Sequence, residues 1–184
     1  MNHTVIDANS LFARGFYGAL DRQFNSSEKF PGACMALRML CSLLDPGFIG
    51  KPGLSERVAL CCDAGQKSDK GREKKPPSYS VELSLFVETA CKLLGIKPSK
   101  VKNQEADDVV ATSAAMLTRI AGPNDRVTVV SGDKDLRQLI SSRVDYYCLH
   151  EKRFVGSKEA CAKFGVHTPA QIAVALAIIG DKGD

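Results

Sequence analysis

Glu105, Asp107 and Asp108 fall within four positions of "QEADDVVATSAAMLTRI", just as an apolar helical pattern begins. Acidic groups in a first helical turn favour the positive end of the helix dipole by roughly 0.3–1 kcal/mol each. That alone would account for them. More carboxylates occur at comparable places: Asp7 ends "TVID", Asp63 follows "VALCC", Asp133 and Asp135 follow "VTVVS", and Asp181 and Asp184 lie in "IIGDKGD". One aspartate after a strand is ordinary turn chemistry. Several at one edge repel each other, so their pKa values rise or the groups splay apart unless a cation joins them. Hard oxygen donors favour magnesium or manganese. Two such ions roughly 3.5–4 Å apart suit phosphoryl displacement by water. The acidic helix start therefore reads as one wall of a metal site.

These positions require a sheet whose strands end at a common edge. The sequence predicts strands at "TVID" (4–7), "ERVALCCD" (56–63), "DRVTVVSGD" (125–133) and "RVDYYCLH" (143–150), with a brief one around "SKVKN". Helical patterns alternate with them. They run through "LFARGFYGAL", with Asn9 or Ser10 as cap, 32–44, 81–95 closed by Gly95, the acidic helix, one starting at "DLRQLI", and 169–179. Gly15 and Gly18 weaken the first of these on propensity grounds. The alternation predicts an α/β fold, a three-layer arrangement with a mostly parallel central sheet and helices on both faces. In such sheets sites form beyond the carboxyl ends of the strands.

With 184 residues, one domain with a real core is expected. A net charge of +4 permits a nucleic-acid partner without demanding one. The seven cysteines contain no C-x-x-C pair and read as free thiols of a reducing, cytoplasmic protein. His3, His150 and His167 lack zinc-ligand spacing. No apolar run of about 20 residues predicts a membrane span, and no phosphate-binding G-x-x-x-x-G-K-[ST] loop is present. Residues 64–80, "AGQKSDKGREKKPPSYS", are basic and without apolar periodicity.

"VIDANSLFARGFYG", "CCDAG", "EADDVVAT", "SGDKDLRQLI" and "FGVHTPAQIAVALAIIGDKGD", in that order, resemble the 5′ nucleases. These are the 5′→3′ exonuclease domain of bacterial DNA polymerase I, phage 5′ exonucleases and flap endonucleases, with a PIN-like core. The resemblance implies metal-dependent cleavage of DNA phosphodiesters near 5′ ends, flaps or forks, in replication or repair, using two or more magnesium or manganese ions. It makes Asp7, Asp63, Glu105, Asp107, Asp108, Asp133, Asp135, Asp181 and Asp184 the acidic cluster. Asp7, Asp63, Glu105, Asp107 and Asp133 would be most directly involved. Asp135, Asp181 and Asp184 would serve a looser second ion site, and Asp108 would act through water.

The same resemblance gives Arg14 and Lys70 to the scissile phosphate. Lys67, Lys70, Arg72, Lys74 and Lys75 would form a basic gateway, and Tyr17 or Phe16 would stack on a base. The pattern departs around Lys70, where Asp69 replaces an aromatic, Glu73 replaces an arginine, and Arg72 is displaced by one. The family's glycine-rich helical hairpin, which grips duplex DNA, is not seen before Asp184. The expectation is a single catalytic domain over 1–184 with weak, salt-sensitive DNA binding. A further carboxy-terminal region or a polymerase would be its partner, and a monomer is the default state. Two other readings stay open: a toxin-type PIN ribonuclease, and a catalytically weak DNA-binding module.

Overall fold

Alternate residues of each central strand face opposite sides of the sheet, and both sides are apolar. Ile6, Leu60, Val130 and Tyr147 join one buried cluster, while Val5, Cys61, Val129 and Tyr146 join another. That pattern demands helices on both faces. The computed structural model, which describes residues 2–21, 28–45, 57–64 and 75–180, has them. The strands are β1 (Asn2–Asp7), β2 (Arg57–Cys61), β3 (Arg126–Ser131), β4 (Val144–Cys148) and β5 (Arg153–Val155). They are ordered β2-β1-β3-β4-β5, all parallel except β5, which runs antiparallel to β4. Helices α1 (Ala8–Asp21), α2 (Pro31–Leu44) and α3 (Pro77–Leu94) cover one face. The other is covered by α4 (Ala106–Ile120), α5 (Ser157–Phe164) and α6 (Ile172–Ile179). The expected three-layer α/β architecture is thus found.

Local differences have physical causes. Asn9 and Ser10 are not caps, because α1 begins at Ala8 directly after β1. The Asp7 carboxylate takes the capping place and accepts the Ser10 amide at 2.9 Å. The helix at "DLRQLI" is only a 3-10 turn, Asp135–Leu139. The strand near "SKVKN" reduces to a single parallel bridge between Cys61 and Ser99. Helix α3 ends as expected at Gly95, in the left-handed region at φ 64°.

Gly15 is needed for packing. A Cβ there would lie 2.7 Å from the Ala36 amide nitrogen, so the glycine lets α1 and α2 touch backbone to backbone. Gly15→Val is expected to lower stability by about 1–3 kcal/mol, read by urea unfolding, because the helices must separate. The stretch Ser157–Ile179 has a mean hydropathy of 1.3 over its most apolar window. It is not one continuous helix, however. Gly165 is left-handed at φ 64°, and a Thr168–Gln171 capping box restarts the chain before α6. All seven cysteines are free.

Candidate active site at the carboxyl edge of the sheet

The register brings the first carboxylates together. Asp7 pairs with Cys61, two residues before Asp63, and Ile6 pairs with Val130, one residue before Ser131. Asp7 is therefore flanked by the ends of β2 and β3. It is 5% exposed, and its second oxygen accepts the Ser131 hydroxyl at 2.7 Å. Burial pushes its pKa up to about 6, and the charges of Asp133 and Asp63 add to the rise against the bonds from Ser10 and Ser131. The register thus sets Asp63 and Asp133 on either side of Asp7 at the same edge.

Each of the other two is fixed by short-range bonds. Asp63 accepts the Ala106 amide at 2.7 Å and the Asn9 side-chain amide, while its own amide donates to Asn9 Oδ1 at 3.2 Å. This ties β2 to α1 and to the start of α4. The Ala64 amide adds a bond to the Gln104 carbonyl at 3.2 Å. Asp133 accepts the Asp135 amide at 2.9 Å, and its own amide donates to Ser131 Oγ at 3.0 Å. Behind it, the Tyr146 hydroxyl donates to the Asp133 carbonyl at 2.6 Å, with the Ser131 carbonyl 3.0 Å away. Tyr146 thereby holds the turn that aims Asp133.

Glu105 is the exposed N-cap of α4, next to the Ala106 amide that binds Asp63, so its backbone lies at the same edge. Its side chain makes no capping bond. Asp107 is half-buried and accepts the Asp108 amide at 2.9 Å, and Asp108 is exposed. Asp135 is half-buried at the start of its 3-10 turn. Asp181, Asp184, Lys67, Lys70, Arg72 and Lys74 lie outside the described residues.

Tyr17 is 46% exposed and meets the Phe16 ring edge-on at 5.6 Å; Phe16 itself is buried. Lys75 sits 4.3 Å over the Tyr79 ring. Tyr79 is buried, and its pKa rises to about 12, first from burial and then from the nearby charges of Tyr17, Asp63 and Asp7. Lys75 and Tyr17 thus flank the acidic edge through Tyr79. Arg14 turns to His150 and bonds its ring nitrogen Nδ1 at 3.0 Å.

The donor set is carboxylate oxygen and fits a hard divalent cation. Among the described residues, no three His, Cys, Asp or Glu side chains close on one point tightly enough to hold an ion as they stand. Asp7, Asp63, Asp107 and Asp133 accept from amide and hydroxyl donors, which stabilise their charges in place of a shared cation. Sequence reasoning missed Asn9, Ser10, Ser131, Tyr79, Tyr146 and His150. Only Asn9 and Ser131 carried a signal, each two residues from a key aspartate.

Carboxylates beyond the parallel strand ends of a three-layer α/β sheet define the class by fold and place: an α/β domain with an acidic edge. Residues 2–165 match the family described as "5'-3' exonuclease, N-terminal resolvase-like domain", and the chain belongs to that family. A 5'-3' exonuclease of Aquifex aeolicus is 30% identical over 189 residues, covering 98% of this chain and 62% of that protein. The DNA polymerase I of Bacillus caldotenax is 33% identical over 190 residues, covering 98% of this chain and 21% of that protein. The chain thus spans about three fifths of the exonuclease relative. Among solved structures, the bacteriophage T5 D15 protein co-crystallised with metal ions shares the fold at a TM-score of 0.69 and 17% identity. That match covers 100% of this chain and 68% of the phage protein. A D15 flap endonuclease in a pseudo-enzyme–product complex with DNA and metal ions has a TM-score of 0.71 and 16% identity, covering 98% and 67%.

Proposed function

We propose that this chain is the catalytic domain of a divalent-metal-dependent 5′ nuclease that hydrolyses DNA phosphodiesters near a 5′ end, flap or fork. The observation that carries this reading is the strand register, which sets Asp63 and Asp133 beyond the ends of the two strands that flank the buried Asp7. The family match, and the DNA and metal ions in the phage complex, support it. Asp7, Asp63 and Asp133 would hold magnesium or manganese, with Glu105, Asp107, Asp108 and Asp135 completing the shell directly or through water. When bound, the ions lower the pKa of an attacking water and offset charge on the phosphate.

The chain's own residues do the rest. Ser10, Ser131, Asn9 and the Ala106 amide fix the carboxylate rotamers. Tyr146 fixes the turn below Asp133. Lys75, Arg14 and the basic residues Lys67, Lys70, Arg72 and Lys74 would draw in the DNA backbone, with a salt-dependent affinity. Tyr17 would offer an aromatic face at the entry.

The test is cleavage of a 5′-flap DNA in magnesium, beside a matched RNA, by wild type and Asp133→Asn. DNA cleavage that falls at least about 100-fold in the variant is expected. Equal cleavage by both proteins would remove the site, and preference for the RNA would favour the ribonuclease reading.

A further inference from the structure

A groove of about 240 Å³ opens on the α2 side of the sheet, beside the acidic edge. Its floor is apolar, from Met35, Met39 and Leu149, and three cations line it, Arg14, Arg38 and Lys152. None of the lining residues is acidic. Arg38 also pairs with Glu28 at 3.2 Å. An apolar floor rimmed by positive groups suits a ligand that is a flat ring at one end and an anion at the other.

The groove is linked to the aspartates by one chain of contacts. Ser10 donates its amide to Asp7 at 2.9 Å, and its hydroxyl accepts the Gly132 amide at 2.8 Å. Gly132 has no side chain, and a Cβ there would lie 2.5 Å from His150 Nε2. His150 in turn meets Arg14, whose Nη1 is 3.0 Å from its Nδ1 and whose Nη2 is 3.4 Å from its carbonyl. An arginine can only donate, so Nδ1 accepts and Nε2 carries the ring proton. That N–H packs against Gly132, one residue before Asp133.

We propose that this groove is a nucleotide subsite: it takes the base and phosphate of a DNA residue flanking the one cleaved, and His150 is the positioning residue that aims Arg14 at that phosphate. The proposal rests on the nuclease reading above, because the acids set where the scissile phosphate lies. The base would rest on the methionine thioethers, which adapt to any flat ring. The arginine fork would take the phosphate oxygens. Gly132, lacking a Cβ, lets the His150 ring pack against the turn that carries Asp133 and so fixes the ring that holds Arg14.

The test uses the whole chain, calcium in place of magnesium, and flap DNAs carrying one abasic residue moved stepwise along the strand. Wild type should lose about tenfold in affinity when the gap sits at one position beside the scissile bond, and little elsewhere. His150→Ala and Ser42→Trp, the latter filling the groove from an exposed α2 position that also lines it, should each flatten that profile. His150→Gln, which can still accept from Arg14, should restore it. A wild-type profile without a sensitive position, or one unchanged in both variants at unaltered melting temperature, would overturn the subsite while leaving the nuclease reading in place. No binding of any DNA by the wild type would overturn both.

Discussion

Asp7→Asn is expected to abolish cleavage, by about 1,000-fold or more, while making the metal-free protein more stable at neutral pH. Both effects come from one buried carboxylate. Asp7 is 5% exposed and its pKa is raised from 3.8 to about 6. The folded state then holds a proton that the unfolded chain has released between those values. Stability is highest below the unfolded value and falls as pH rises through the folded one. The loss is on the order of 3 kcal/mol, at 1.36 kcal/mol per unit. Asparagine removes the ionisation and keeps the oxygen that can accept from Ser10 or Ser131. Thermal melts from pH 4 to 8 without divalent ions should show a steeper decline for wild type than for the variant. Added magnesium should raise the wild-type melting temperature and leave the variant nearly unmoved. Equal magnesium stabilisation of both would show that Asp7 does not hold the ion.

The largest stability loss is expected at Glu82, a residue with no part in the acidic site. It lies on α3, is 3% exposed, and accepts the Gly32 amide at 2.8 Å and the Ala33 amide at 3.1 Å. These are first-turn donors of α2, where Phe30 makes no side-chain cap. A carboxylate from another helix satisfies them and also meets the positive end of the α2 dipole. Glu82→Ala strands two amides and leaves a void against Phe16, the ring nearest Gly32. The cost should be about 2–4 kcal/mol, measured by urea unfolding. Glu82→Gln keeps an accepting oxygen and should lose about half as much. If alanine and glutamine were equally harmful, charge rather than hydrogen bonding would be the main contribution.

The layers were legible because strand and helix periods differ, and because doubly buried strands such as "VALCC" read as continuous apolar runs. The edge was legible because aspartates punctuate three of those strands. Element ends were less so. β5 is only three residues, and α5 carries four charged or polar side chains over Ser157–Phe164, so neither gives a periodic signal. Gly15 looked like a weak point in a helix, because propensity ignores what packs on the other side. Asn9 and Ser10 resembled caps for the same reason: local chemistry cannot show that Asp63 and Gly132 are their partners. His150 was set aside for lacking zinc spacing. Its meaning depends on Arg14, 136 positions away, a relation that a single sequence does not encode locally.

Helices α1 and α4 both begin at the acidic edge, the first directly after Asp7 and the second with its Ala106 amide on Asp63. Their positive ends act as a built-in partial counterion for the aspartates. If the proposed cations bind here, assembly of the polypeptide and their loading are expected to be separable events, unlike a zinc finger that collapses when stripped. Chelators should silence this domain reversibly and leave its secondary structure standing, so the cellular cation supply could govern it as a throttle rather than as a scaffold.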